Sequence, residues 1–422
     1  MGQPSLTSRV LDFVTASYRA SRDFNGIRYT DVQRLLGLID PAMRRAVRTL
    51  VKRGAASAIF GDIHPNAYIR ALPDEPIDQQ LAKLTAECDP CLYPTEATLA
   101  RVVPSNLHLD RPFTRRLALG EPQLTFAAFD LTVLETYRND PRYVFHAGDA
   151  GGTISISDDY YESPEMPRRD QVLLQSFGFC YGPDSQRAVG VFLRYLSGLS
   201  PEHQQLWRTR ILPDGYKLHP DYWASSMGHW PEGASIFEAV LAEMRYINGM
   251  ARAMGRRPLF KRDFEGERPV EFAFLFRPTR AEFDTFVQTL DKMLSDNIDP
   301  KFFRGEVPTE FQETRPDGMV EVKRKGTITM LEEWIGAYFR SSDPSVPALF
   351  KTLRHVRELR SHPAHAVRAN VFDKTLFETQ RQLMIDVYQA VQTLRLIFAY
   401  WPETKSCEVP RILRGGTTIW TM

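Results

Sequence analysis

Long runs of apolar residues at helical spacing constrain the fold of this 422-residue chain more than any other feature. One run begins at a capping residue, Ser235, and stops at Gly255, as an amphipathic helix does. A second run is capped by Thr279, and a third covers residues 374–400. Because this pattern dominates from residue 168 onwards, the sequence predicts a mainly α, multidomain protein.

The N-terminal segment has a more compact pattern. Apolar spacing predicts a first helix near residues 10–18, a short helix at Asp31–Leu36 and a third helix from Asp40 to about Gly54. Two short apolar runs then follow at 55–72, and the turn residues between them indicate a hairpin. Three helices and a hairpin in this order resemble a winged helix-turn-helix.

The third helix of this segment is strongly basic. It carries five cationic side chains, namely Arg44, Arg45, Arg48, Lys52 and Arg53. In a winged helix that binds DNA, such side chains would face phosphates and base edges. The alternative is a scaffold or oligomerisation module whose basic face is only solvated.

Changes in composition along the chain divide it further. A Pro- and Asp-rich stretch at 73–78 predicts a linker, and apolar/polar alternation at 125–160 predicts strands. We therefore expect four regions, which are a winged-helix-like domain at 1–75, a small α+β domain at 76–165, a helical region at 166–300 and a helical bundle with a C-terminal arm at 301–422.

Charge and cysteine content narrow the possible classes. Lys and Arg number 53 against 52 acidic residues, so nucleic-acid binding would have to come from local clusters. Four cysteines argue against a disulfide scaffold and favour a reducing compartment. We find no secretory signal and no apolar stretch of membrane-spanning length. The sequence thus predicts a cytoplasmic protein without a membrane partner.

The most informative motif is a basic segment near the end of the chain. Arg360 and His365 are separated by four residues, and Arg357 and His362 repeat that spacing. Pro363 disfavours helix at the residue before it. We therefore expect the motif to lie where one helix ends and the next begins.

This arrangement, over about residues 327–400, resembles the HEPN superfamily, in which an Arg-x4-6-His motif lies between two long helices. Ser361 stands where that family often has Asn, Asp or His. The resemblance implies a homodimer in which two motifs form one metal-independent ribonuclease site. It also implies RNA as substrate and a biological setting among bacterial toxins or anti-phage effectors.

The chemistry of RNA cleavage needs these residue types. A 2′-OH that attacks the adjacent phosphate needs a base and the leaving oxygen needs an acid, which histidine provides near neutral pH. A permanent cation stabilises the charged transition state, and arginine matches phosphate geometry. We therefore expect His365 to act as acid/base and Arg360 to stabilise the transition state, with His362 and Arg357 secondary and no metal or cofactor.

Other interpretations remain open at this point. The cluster could be a solvated basic helix end, or His362 and His365 could be part of a metal site completed by Asp373 or His355. A lone Cys88-Asp-Pro-Cys91 motif fits two ordinary thiols better than a zinc or redox site. The rival function is a non-catalytic DNA- or RNA-binding regulator or scaffold.

Overall fold

The computed structural model describes residues 4–61, 64–85, 88–161, 163–164, 167–183, 186–315, 319–361, 369–415 and 417–422. The chain forms two compact units, Met1–Pro231 and Glu232–Met422. Helices account for 46% of the chain and strands for 15%, so the protein is mixed α/β. The predicted mainly α class was therefore wrong, because a stretch expected to be helical forms part of a large sheet.

The first unit contains short helices and two sheets. Its helices are α1 (Leu6–Ala20), α2 (Tyr29–Leu35), α3 (Asp40–Lys52), α4 (Ile77–Lys83), α5 (Glu96–Val102), α6 (Pro112–Ala118), α7 (Glu135–Arg138), α8 (Asp158–Tyr161), α9 (Leu193–Leu196), α10 (Pro201–Arg208) and α11 (Pro220–Ser226). Its strands are β1 (Ile27–Arg28), β2 (Ala56–Ile59), β3 (Cys91–Pro94), β4 (Phe126–Phe129), β5 (Tyr143–Ala147), β6 (Gly151–Ile156), β7 (Leu173–Tyr181), β8 (Arg187–Phe192) and β9 (Lys217–Leu218).

The second unit is mainly helical. Its helices are α12 (Ile236–Ala253), α13 (Arg280–Met293), α14 (Thr327–Tyr338), α15 (Ser345–Ser361) and α16 (Thr375–Phe398). Its strands are β10 (Ala234–Ser235), β11 (Glu310–Thr314), β12 (Val320–Arg324) and β13 (Ile419–Trp420).

The first three helices pack on a small antiparallel sheet. Its strand order is β1-β3-β2, and β3 pairs with both neighbours. The buried faces of α1, α2 and α3 share one apolar core, which includes Val10, Val32 and Val47. The hairpin predicted directly after α3 was wrong, because β2 pairs with β3 and the connection between them contains α4. The predicted boundary between 75 and 76 therefore falls between two paired strands.

The larger sheet has the strand path β4-β8-β7-β6-β5, with β9 also paired to β7. The segment RAVGVFLRYLSGL, which lies in the region predicted to be helical, forms strand β8 followed by the short α9. Five consecutive residues of β8, Ala188–Phe192, are buried, and such a run is as compatible with a core strand as with a helix. The helical region predicted at 166–300 is thus wrong at its N-terminal end.

The bundle of the second unit buries one continuous core. Leu290 of α13, Trp334 of α14, Val356 of α15 and Val387 of α16 all contribute to it. The short strands β10 and β13 pair in parallel, so the C-terminal segment ends as an edge strand on this unit. Among the described residues, no helix has both the length and the apolar character needed to cross a bilayer.

Candidate nucleic-acid-binding and catalytic sites

Helix α3 separates an apolar face from a basic one. Met43, Val47 and Leu50 lie in the core of the first unit. Arg45 and Lys52, seven residues apart, share the opposite face and are exposed. Arg48 is also exposed on this face, Arg53 is exposed at the end of the helix, and Arg44 is half-buried beside it. The five predicted cations therefore lie together, four of them exposed to solvent.

Two of these cations are engaged by neighbouring groups. Arg44 forms an ion pair with Asp40 one turn earlier. Arg48 Nη1 donates hydrogen bonds to the carbonyls of Leu81 at 2.8 Å and Leu84 at 3.3 Å, at the end of α4. Helix α4 thus covers one side of α3 and fixes the direction of one basic side chain.

The other three cations have no counter-charge among the residues that the structure describes. Arg45, Lys52 and Arg53 form no ion pair with any described residue. The local sequence explains this, since no acidic residue occurs between positions 41 and 61. The exposed face of α3 is therefore a positive surface whose charge no described carboxylate balances.

The catalytic histidines predicted from the sequence, His362 and His365, lie outside the described residues. The arginines that precede them are on α15 and are all ion-paired. Arg354 pairs with Glu332, and Arg357 Nη2 lies 2.9 Å from Asp296 Oδ1. Charge at the C-terminal end of α15 is thus largely neutralised by carboxylates from other parts of the same unit.

Arg360 has the most restrained environment of the predicted site residues. Its Nη1 donates to Asp291 Oδ2 and Asp296 Oδ2, each at 2.6 Å. Asp291 lies on α13 and its side chain is fully buried, whereas that of Arg360 is 35% exposed. Hydrogen bonds from Arg360 to these two carboxylates hold the pKa of the guanidinium above its ordinary value. Arg360 is therefore a permanent, fixed cation.

One edge of this guanidinium has no hydrogen-bond partner among the described residues. Nε and Nη2 of Arg360 form no hydrogen bond with a described residue. Together with Arg357 and the carboxylates of Asp291 and Asp296, the cluster holds two positive and two negative charges. It can orient one phosphate oxygen, but it does not form an electropositive surface.

The sequence reasoning missed Asp291 and Asp296, which precede Arg360 by 69 and 64 residues. A signal for Asp291 was present, because this acidic residue interrupts the apolar pattern of α13 between Leu290 and Met293. A buried carboxylate at such a position requires a cationic partner. The partner itself could not be identified from the local pattern.

The alternative metal sites receive no support from the described residues. No group of three or more His, Cys, Asp or Glu side chains is close enough there to hold an ion. Asp373 instead accepts hydrogen bonds from the hydroxyl and backbone N–H of Thr375, which lower its pKa. His355 lines an open groove of about 380 Å³ with Lys351 and Glu358.

The Cys88/Cys91 pair resembles ordinary structural thiols. The Cys88 thiol donates a hydrogen bond to the carbonyl of Thr85, with Sγ 3.1 Å from the oxygen. Cys91 is buried in β3, and burial raises the pKa of its thiol to about 12. Because the thiolate is the reactive form, this cysteine is chemically inert at neutral pH.

Comparison with known proteins assigns no family. The chain matches no protein-family model, no curated protein and no solved structure.

Proposed function

We propose that this chain binds double-stranded DNA through α3 of a winged-helix-like domain. The element order α1-β1-α2-α3-β2-β3, with sheet order β1-β3-β2, supports that assignment. In such domains the last of the three helices enters the major groove. Here α3 is that helix, and it presents its basic face outward.

The observation that carries the proposal is the absence of carboxylate partners for Arg45, Lys52 and Arg53 among the described residues. A cation that is not already paired gains the full benefit of a phosphate contact and of the counterions released from DNA. The cations of α15 would first have to give up their carboxylates. The first unit is therefore the better candidate for duplex binding.

The test is the salt dependence of binding to a labelled DNA duplex, followed by fluorescence anisotropy. Each phosphate contact contributes about 0.9 to the slope of log K against log salt concentration. We expect Arg45→Ala/Lys52→Ala to reduce that slope by about 2 and to weaken binding to all sequences. The matched control is Lys301→Ala/Arg304→Ala, which removes the same charge from exposed positions of the second unit. Equal effects of the two double variants would contradict the proposal.

A second candidate function, a metal-independent endoribonuclease, is supported by the geometry of Arg360. The two carboxylates fix this guanidinium at the end of α15, and its Nε and Nη2 form no hydrogen bond with a described residue. The next segment contains His362 and His365, which supply acid/base groups within a few residues. On this proposal Arg360 stabilises the phosphorane while His365 transfers protons, and a homodimer combines two such sites on RNA, as the HEPN resemblance implies.

Incubation of purified protein with RNA in EDTA tests this second function. Cleavage in chelator that leaves 2′,3′-cyclic phosphate ends supports it, and we expect His365→Ala to lower the rate about a hundredfold or more. His355→Ala is the matched control, because this histidine lies on α15 ten residues before His365 in the sequence, outside the motif. Arg360→Ala alone is a poor test, since it also leaves Asp291 without its partner. Absence of cleavage by the wild type would leave only the DNA-binding proposal.

A cytoplasmic location belongs to the same proposal. The four cysteines of the chain are all free, as expected in a reducing compartment.

A further inference from the structure

The hairpin formed by β11 and β12 extends from the bundle with little support. Every residue of β11 and four of the five residues of β12 are exposed. Within the described part of the chain, these strands pair only with each other. An isolated two-stranded hairpin is marginally stable in water, whereas three or more strands with an apolar face are stable. This element therefore gains stability if another strand joins it.

The hydrogen bonds at the two ends of the hairpin define its pairing pattern. Lys325 N–H donates to the carbonyl of Thr309 at 2.9 Å, and Arg315 N–H donates to the carbonyl of Met319 at 2.8 Å. In an antiparallel pair, hydrogen-bonded and non-hydrogen-bonded positions alternate along each strand. The hydrogen-bonded positions are thus the odd-numbered ones in both strands.

The backbone of β12 consequently has a free edge. Glu321 and Lys323 direct their N–H and C=O groups towards β11. Val320, Val322 and Arg324 direct theirs away from it, and no described residue bonds to them. This edge is the one to which a further antiparallel strand can bond.

We propose that β12 of a second copy of this chain pairs with this edge, antiparallel, about a two-fold axis at Val322. Val322 then faces Val322 of the second copy, and Val320 faces Arg324 of the second copy. All three outward residues find backbone partners, so about six hydrogen bonds form across the axis. The two hairpins become one four-stranded sheet.

Charge selects this register over its neighbours. With the axis at Val322, Glu321 lies opposite Lys323 of the second copy, on both sides of the axis. These are non-hydrogen-bonded positions, where facing side chains are closest. An axis at Glu321 would oppose two carboxylates, and an axis at Lys323 would oppose two ammonium groups. Only the Val322 register makes both charged pairs attractive.

The other edge of the hairpin lacks this complementarity. The only charged residues of β11 are Glu310 and Glu313, so no pairing of β11 with itself brings opposite charges together. Val320 and Val322, each 58% exposed, share one face of the hairpin and would be partly covered in the four-stranded sheet. These features favour a closed dimer through β12 over a dimer through β11.

This inference is independent of both proposed functions, and cross-linking of the full chain tests it. When the two copies of one residue form a hydrogen-bonded pair across the two-fold axis, their Cα atoms are about 5.5 Å apart, which is within disulfide range. In a Cys88→Ser/Cys407→Ser background, we expect Val322→Cys to form a disulfide-linked dimer under mild oxidation. Gln312→Cys is the matched control, because Gln312 pairs with Val322 on the same face but belongs to β11.

Charge reversal supplies the second measurement, with dimerisation followed by analytical ultracentrifugation. Glu321→Lys turns two attractive pairs into repulsive ones, and we expect dimer affinity to fall about ten- to a hundredfold. Within the hairpin, Glu321→Lys replaces a like-charge contact with Glu313 but loses the ion pair with Arg315. Arg315→Ala, which removes that ion pair and leaves Glu321 and Lys323 in place, is therefore the control and should leave the dimer affinity nearly unchanged. Glu321→Lys/Lys323→Glu makes both pairs across the axis attractive again, so it should bind more tightly than Glu321→Lys alone, although it also reverses the Lys323–Glu313 ion pair of the hairpin.

Three results would overturn the proposal: a monomeric wild type, equal cross-linking of the two cysteine variants, or a dimer indifferent to Glu321→Lys.

Discussion

Replacement of Arg360 by methionine is the sharpest test of how the basic end of α15 is built. The substitution keeps most of the aliphatic length of the side chain and removes the cation. It leaves Asp291, whose side chain is fully buried, without the only described group that bonds to it. We expect a large loss of stability in the second unit.

The magnitude follows from the exposure of the two partners. Breaking a fully buried ion pair costs roughly 3–5 kcal/mol, because a charge stays behind in the protein interior. Arg360 is 35% exposed, so solvent screens part of its interaction and we expect about 2–4 kcal/mol. For a unit of the size of Glu232–Met422, this corresponds to a fall in Tm of about 4–16 °C.

The matched control lies one turn earlier on the same helix. Arg357 pairs with Asp296, and the two side chains are 42% and 39% exposed. Arg357→Met should therefore cost about 0–1 kcal/mol. Asp291→Asn/Arg360→Met should recover most of the loss, since no buried charge remains. Thermal unfolding followed by circular dichroism measures all three variants, and equal Tm values for Arg357→Met and Arg360→Met would refute the reasoning.

Three further predictions concern pH and packing. Burial lowers the pKa of His203 below 6.5, so the unfolded chain binds a proton at this histidine more readily than the folded chain. Stability is therefore lost as pH falls below 6.5. In urea titrations at several pH values, His203→Gln should reduce the dependence of the unfolding free energy on pH. Burial raises the pKa of Glu243 above 4.5, although Arg395 opposes the shift. The folded chain therefore holds this proton more tightly than the unfolded chain, and the free energy of unfolding declines as pH rises from 4.5. Glu243→Gln should remove that decline. A Cβ on Gly26 would lie 2.4 Å from Tyr93 Cε2, so Gly26→Ala should cost about 1–3 kcal/mol, whereas Gly61→Ala, with open space around it, should cost little in the same melts.

Local pattern predicted the long helices of this chain well. The spacing of apolar residues and the caps at Ser235 and Thr279 placed α12 and α13 close to their observed bounds, and the run at 374–400 predicted α16. These helices are long and amphipathic, so their periodicity identifies them without knowledge of what they pack against. The mainly α class was predicted because the same helical assignment was extended to residues that form strand β8.

The sheets were harder to predict because their partners are distant. Strand β8 is buried along most of its length, so it lacks the alternation that distinguishes a half-buried strand from a helix. Strand β2 pairs with β3 more than 30 residues later, across α4, and no turn signal marks such a connection. Pairing between remote segments is decided by the whole fold, not by the residues near each strand.

The same limit explains why two basic clusters that look alike in sequence differ in the structure. Around α3 no acidic residue occurs from 41 to 61. Arg44 pairs with Asp40 and Arg48 bonds to α4, but the other three cations form no ion pair with a described residue. Around α15 the neighbouring sequence is equally basic, but Asp291 and Asp296 approach Arg360 from α13 and the turn after it. A phosphate at α3 replaces only solvent and mobile ions, whereas a phosphate at Arg360 must share one guanidinium with two carboxylates. Strong, salt-dependent binding is therefore expected of the first cluster, and orientation of a single phosphate group of the second.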